Sequence, residues 1–325
     1  MESLDNAPEE SFSIVVIPDT QAYLGRGTAA TPDSDAPVTN PSFESHINWI
    51  KSHLEPQRIA FVSHVGDLVD LNIPSQWVTA RALMNRLKGS VPFGFSPGNR
   101  DMQDSGDSSL FQSCFGADQY RHFPWYGDSF TSSREGFSGN NANSFQLFEK
   151  RGIKVIFLHL ECNAPDDVVD WANEILAVHG DRLALITTHM GWGPLERPRS
   201  SDDYVTAPKG RMTWCKTHGK KGNSPQQLWE KCYRIHSHLF AVFSGDQIRT
   251  EAFRAASTGR NGNLIHEITQ DYGNTLLRLY RFLPEQQRVD AFTIDSHTTF
   301  LCGGTPRHPG KEQHQFQIPW LHSDD

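Results

Sequence analysis

Five short apolar runs in this chain end in the same way, and that recurrence constrains the fold more than any other feature. SIVVIPDTQ closes on Asp19 and Gln21, IAFVSHVGDLVD on Asp67 and Asp70, and VPFGFSPGNRD on Asn99, Arg100 and Asp101. LALITTHM closes on His189, and LFAVFSGDQIR on Asp246, Gln247 and Arg249. Short runs that are apolar throughout are those of strands buried on both faces. In an open α/β sheet the ligand crevice lies outside the carboxyl ends of the strands, so the five ends are expected to converge. Taken singly, Asp or Asn after a strand is more often a turn former, and His189 an ordinary edge histidine. Five ends of one kind, in order, are not explained by turns.

The rest of the pattern completes an α/β chain. Strands are expected at 13–17, 59–65, 92–96, 144–148, 153–160, 183–187, 239–244, 263–269, 275–282 and 288–294, and helices at 42–54, 74–87, 166–179 and 225–238. In the last helix Leu228, Cys232 and Ile235 recur on one face, with Ser224 as cap and Pro225 in the first turn. The later strands follow one another without helices, which points to a second, more antiparallel sheet. Residues 1–11 read as an N-terminal tail, 12–300 as a single domain with a cap or insertion at 193–222, and 301–325 as a C-terminal tail.

With 30 Lys+Arg against 38 Asp+Glu, the chain of 325 residues carries a formal charge of −8. That balance argues against general nucleic-acid binding, which needs a basic stripe for phosphates. No run of about 18 apolar residues appears, so no membrane span is expected, and the acidic start MESLDNAPEESF is unlike a signal peptide. A cytoplasmic protein is the expectation. Five cysteines without a CxxC pair fit neither a disulfide framework nor a thiolate zinc site.

Oxygen ligands with one imidazole suit a divalent ion such as Mn, Fe, Zn or Mg. A carboxylate shared by two ions would build a site for in-line attack on phosphorus. The series resembles the calcineurin-like metallophosphoesterase family, whose pattern in chain order is D-x-H, GDxx[DN], GNH[DE], H and GHxH. The matching positions are Asp19-Thr20-Gln21, Gly66-Asp67-Leu68-Val69-Asp70, Gly98-Asn99-Arg100-Asp101, His189 and Gly245-Asp246-Gln247-Ile248. PDTQ and the later DY and LLRLYRFLP stretch look like a bacterial branch of that family, and the likeness runs from about residue 12 to 300.

The resemblance implies a four-layer αββα sandwich of two mixed β-sheets flanked by helices. It also implies one or two divalent ions and hydrolysis of a small anionic substrate, a phosphate ester, by metal-activated water. Asp67 would bridge the ions, Asp19 and Gln21 would face the first, and Asn99, His189 and Asp246 the second. Gln21 and Asp246 stand where the family has imidazoles, and Ile248 cannot bind a metal, so the second position is expected to be the tighter. Arg100 replaces the family's GNH histidine. It stays charged and cannot shuttle a proton, so it is either an oxyanion clamp oriented by Asp101 or a plain structural Arg–Asp pair. Asn143, Gln247, Arg249 and Arg211 are weaker candidates for substrate contact, the last within a basic stretch following His189. Two other readings stay open: a catalytically reduced relative that binds a metal and an anion, and a centre turned to non-phosphate chemistry.

Overall fold

The computed structural model of the chain describes residues 2–200 and 203–320. In chain order its strands are β1 (Phe12–Ile17), β2 (Ile59–His64), β3 (Phe93–Phe95), β4 (Tyr126–Ser129), β5 (Ser144–Lys150), β6 (Ile153–Leu160), β7 (Leu183–Thr188) and β8 (Trp192–Pro194). They continue as β9 (Lys209–Arg211), β10 (Leu239–Ser244), β11 (Ala252–Thr258), β12 (Leu264–Gln270), β13 (Leu276–Leu283), β14 (Arg288–Asp295) and β15 (Gln315–Pro319). One sheet has the order β15-β14-β13-β1-β2-β3 and the other β11-β12-β10-β7-β6-β5-β4, with β8 and β9 as a separate ribbon. Both sheets are mixed. The parallel strands β1–β2–β3 and β6–β7–β10–β12 are flanked by antiparallel ones.

Alternation along each strand sends successive side chains to opposite faces. Ile14 and Val16 of β1 meet Phe157 of β6, Leu185 of β7 and Phe243 of β10 in an apolar layer between the sheets. Val15 and Ile17 face the other way, toward the helices Pro41–His53 and Pro74–Met84. Beyond the second sheet, Ile156, Leu158 and Ile186 pack on the helices Asp166–Val178 and Pro225–Lys231. The architecture is therefore the expected αββα sandwich. Each fully buried large aliphatic or aromatic side chain contributes about 1.5–3 kcal/mol, so the layer between the sheets holds their edges in fixed relation. Side-chain caps start two of the helices, the second at the Ser224 the sequence points to. Asn40 accepts from the Phe43 N–H ahead of Pro41, and Ser224 forms a capping box with Gln227.

Three features differ from the sequence reading. The late strands do not make a sheet of their own: β13 pairs with β1, so both ends of the chain build the first sheet and its middle builds the second. The last helix stops at Lys231, because Cys232 leaves helical geometry at φ −132° and ψ −66°, and a short 3₁₀ turn follows. The stretch expected to be a tail from 301 onward contains β15. Phe316, Ile318 and Trp320 are buried in the layer between the sheets, while 321–325 lie outside the described residues. At the other end, Ser3 bridges to Phe300 and the Ala7 N–H donates to Pro56 O at 2.8 Å.

Candidate metal centre

The parallel strands of both sheets bring their carboxyl ends to a common crevice. Asp19 lies just beyond β1, Asp67 beyond β2, Asn99 beyond β3, His189 at the end of β7 and Asp246 beyond β10. Asp67 and Asp246 take positive φ, 50° and 64°, a conformation that Asp tolerates better than most side chains. The glycines before the ligands are needed for room. A Cβ on Gly98 would overlap Asp67 Oδ1, and one on Gly245 would overlap Asp19 Oδ1.

His189 is the hub. Its ring is fully buried and its Nδ1–H donates to Val65 O at 3.1 Å, which leaves Nε2 as the lone-pair nitrogen of the neutral ring. Around Nε2 stand Asp67 Oδ1 at 3.2 Å, Asn99 Oδ1 at 3.2 Å and Asp246 Oδ1 at 3.4 Å. Ligand atoms of Asp19, Asp67 and His189 also lie within 4.8 Å of one another. Donor atoms about 2.1 Å from a shared ion stand roughly 3.0–3.4 Å apart, so this set fits one divalent cation. Without a cation, buried lone pairs facing one another are costly. Burial opposes a charge on His189, yet Asp67, Asp19 and Asp246 outweigh it and raise its pKa well above the ordinary value.

The other position is poorer in expected ligands and richer in an unexpected one. Gln21 is half-buried beyond Asp19, and Ile248, 46% exposed, offers no lone pair. Asp271, just beyond β12, is buried against Asp19. Burial first, and then Asp246 and Asp67, push its carboxyl up to about 7, while burial and Asp271 raise Asp19. One Asp271 oxygen has no hydrogen-bond partner among the described residues. A second unexpected neighbour is Lys216, whose Nζ pairs with Asp246 Oδ1. Burial alone would raise the Asp246 carboxyl, but Lys216 and His189 hold it at about 2.

The remaining candidates take different places. Asp101 does not orient Arg100. It is fully buried and accepts the backbone N–H groups of Gly98, Val69 and Leu68 at 2.8, 3.1 and 3.2 Å, locking two ligand loops together. Arg100 is about half exposed and lies 3.8 Å from Asp70 instead. Arg211 is not free for substrate: it forks onto Glu267 at 2.8 and 2.6 Å beneath the Trp229 ring. Asn143 is fully buried, donating to Ser138 O and accepting from Glu161 N, which makes it a brace between strands. Gln247 is buried and donates to Asp246 Oδ2 at 3.0 Å, and Arg249 is exposed over the Tyr204 ring. His64 joins the ligand loops, bonding Thr20 Oγ1 at 3.0 Å and accepting from Gly66 N at 3.1 Å.

Comparison with known proteins identifies the family. The family model for calcineurin-like phosphoesterases matches residues 12–245. The uncharacterized protein YvnB of Bacillus subtilis (strain 168) is 24% identical over 272 residues, 80% of this chain and 18% of YvnB. The chain thus spans less than a fifth of that relative's length. Among solved structures, GAP50, the anchor in the inner membrane complex of Plasmodium, superposes with a TM-score of 0.50 at 10% identity, covering 97% of this chain and 90% of GAP50. A 5′-nucleotidase precursor from Thermus thermophilus gives 0.47 at 10% identity, covering 95% of this chain and 54% of the precursor.

Proposed function

The chain belongs to the calcineurin-like phosphoesterase family, and from that premise we propose that it hydrolyses phosphate esters at the His189 centre. The observation that carries this reading is the ring of acceptor atoms around His189 Nε2. When bound, a divalent ion such as Mn, Fe, Zn or Mg polarises a phosphoryl oxygen and makes water more acidic. Asp19, Asp67, Asn99 and His189 would hold it, with Asp246 beside them. Asp101 keeps the Asp67 and Asn99 loops in register by accepting their backbone N–H groups. Arg100 carries a guanidinium, a forked donor suited to oxyanions rather than a proton shuttle. From its exposed place by Asp70 it offers an anionic oxygen a cation, but it gives a leaving group no proton.

Esters with acidic leaving groups are therefore the expected substrates. The test is elemental mass spectrometry of the full chain after Mn or Zn loading, followed by aryl phosphate mono- and diester hydrolysis. Bound ion that disappears in Asp67→Ala, together with rates that fall steeply as the leaving group becomes less acidic, is the expected result. No bound ion under any loading condition would sink the proposal. Equal chemical rates for good and poor leaving groups would sink the role given to Arg100. The pairing of Arg100 with Asp70 favours a second reading, a relative of low turnover that binds a metal and an anion. Bound metal without measurable hydrolysis in the natural chain, and recovery of hydrolysis in Arg100→His, would select it.

A further inference from the structure

Three basic side chains of the insertion have partners outside the ligand set. Arg211 is neutralised by Glu267, Lys209 bonds Thr250 Oγ1 at 2.9 Å, and Arg197 lies 6.0 Å from the Trp214 ring. Lys216 is different. Its ammonium pairs with Asp246 Oδ1, the same oxygen that stands 3.4 Å from His189 Nε2.

The contact is built into the fold. The Lys216 backbone N–H donates to Asn163 Oδ1 at 2.8 Å, and Asn163 Nδ2 donates to Asn223 O at 2.9 Å. One amide beyond β6 thus staples both ends of the 216–223 turn to the sheet. The Trp214 ring flanks Nζ at 5.5 Å, and the lysine side chain is 27% exposed. Asp246 also stands where the resemblance expects a neutral imidazole. A carboxylate there adds a negative charge, and with its side chain only 3% exposed that charge needs a partner.

An ammonium and a metal ion cannot use one carboxylate oxygen in the same direction at the same time. We propose that Lys216 is a tethered cation of the centre: it claims Asp246 and restricts Asp19, Asp67, Asn99 and His189 to a single divalent ion. The inference rests on the reading of this centre as a metal site. It makes the charge that a second ion would bring a property of the insertion rather than of metal supply.

Isothermal titration of Mn²⁺ into the full chain tests it, using Lys216→Met, Asp246→Asn and the double variant, with circular dichroism to confirm folding. The natural chain is expected to bind one ion. Lys216→Met should bind Mn²⁺ at least about tenfold more tightly or take up a second ion, because a competing charge has been removed. In the Asp246→Asn background the same substitution should shift affinity by less than about threefold. Lys216→Gln serves if the methionine variant does not fold, and Lys216→Arg should behave as the natural chain. Ion binding that is unchanged or weaker in Lys216→Met overturns the inference and leaves the metal centre standing. An equal shift with and without Asp246 also overturns it. No binding in any variant overturns the metal reading, and this inference with it.

Discussion

Asp67 and Asp101 close neighbouring motifs, and the structure gives them different work. Asp67 Oδ1 stands 3.2 Å from His189 Nε2 among the other candidate ligand atoms. Asp101 is fully buried and satisfies three backbone donors. Asp67→Ala relieves repulsion among buried carboxylates, so the chain should stay folded, lose its ion and hydrolyse phosphate esters at least about a hundredfold more slowly. Asp101→Ala strands buried N–H groups at about 1–3 kcal/mol each, so urea unfolding should show a loss of roughly 2–5 kcal/mol. A natural urea midpoint in Asp101→Ala, or retained metal in Asp67→Ala, would contradict this division. Sequence spacing could not make it, because Asp101 follows Arg100 directly and an adjacent acid and base invite pairing. The backbone instead turns Asp101 inward and Arg100 outward. Lys216 and Asp271 were hidden for another reason. One reaches Asp246 across 30 positions and the other meets Asp19 from a different sheet, so neither contact leaves a local pattern.

Elements were legible where a single strand or helix carries its own period. The runs ending in the ligands are strands because both of their faces are buried, and apolar continuity is a local signal. Which sheet each strand joins was not legible, since β1 pairs with β13 across most of the chain. The shortest elements, such as β4, β8 and β9, hold too few residues to show a period. Strand β15 follows a stretch rich in Pro, His and Gly that reads as surface chain, yet Phe316, Ile318 and Trp320 alternate into the layer between the sheets. Trp320 packs against Phe282 and Phe240 at ring distances of 5.6 and 6.3 Å. Large-to-small changes at such aromatic sites cost about 3–5 kcal/mol. Trp320→Ala should therefore lower unfolding free energy by about that amount while leaving metal affinity per folded chain unchanged. A variant as stable as the natural chain would show that β15 is dispensable to the sandwich.

Across the whole molecule, two sets of buried groups make stability depend on pH in opposite senses. Burial lowers His46 to about 4, His159 to about 3 and His266 to about 4, from an ordinary 6.5. The unfolded chain protonates these rings first, so the stability they support is complete above about 6.5 and drains as pH falls toward 4. Burial raises Asp101 and Asp271 to about 7, from an ordinary 3.8. These carboxyls hold protons in the folded chain that the unfolded chain has released, so their penalty is greatest above 7 and is relieved as pH falls toward 3.8. In the metal-free protein the two trends offset. An ion at the proposed centre would break the balance, because it would require His189 neutral and the neighbouring carboxylates ionised, and its binding would release protons. An ion that binds the folded chain alone stabilises it by about 2.7 kcal/mol at a hundredfold excess over Kd. The rise in Tm on adding saturating Mn²⁺ should therefore be largest near pH 8 and shrink steadily toward pH 5, measured by thermal unfolding against a chelator-treated control. A rise independent of pH would mean that the ion binds away from His189, and one that grows toward pH 5 would place it on groups that gain protons as they bind.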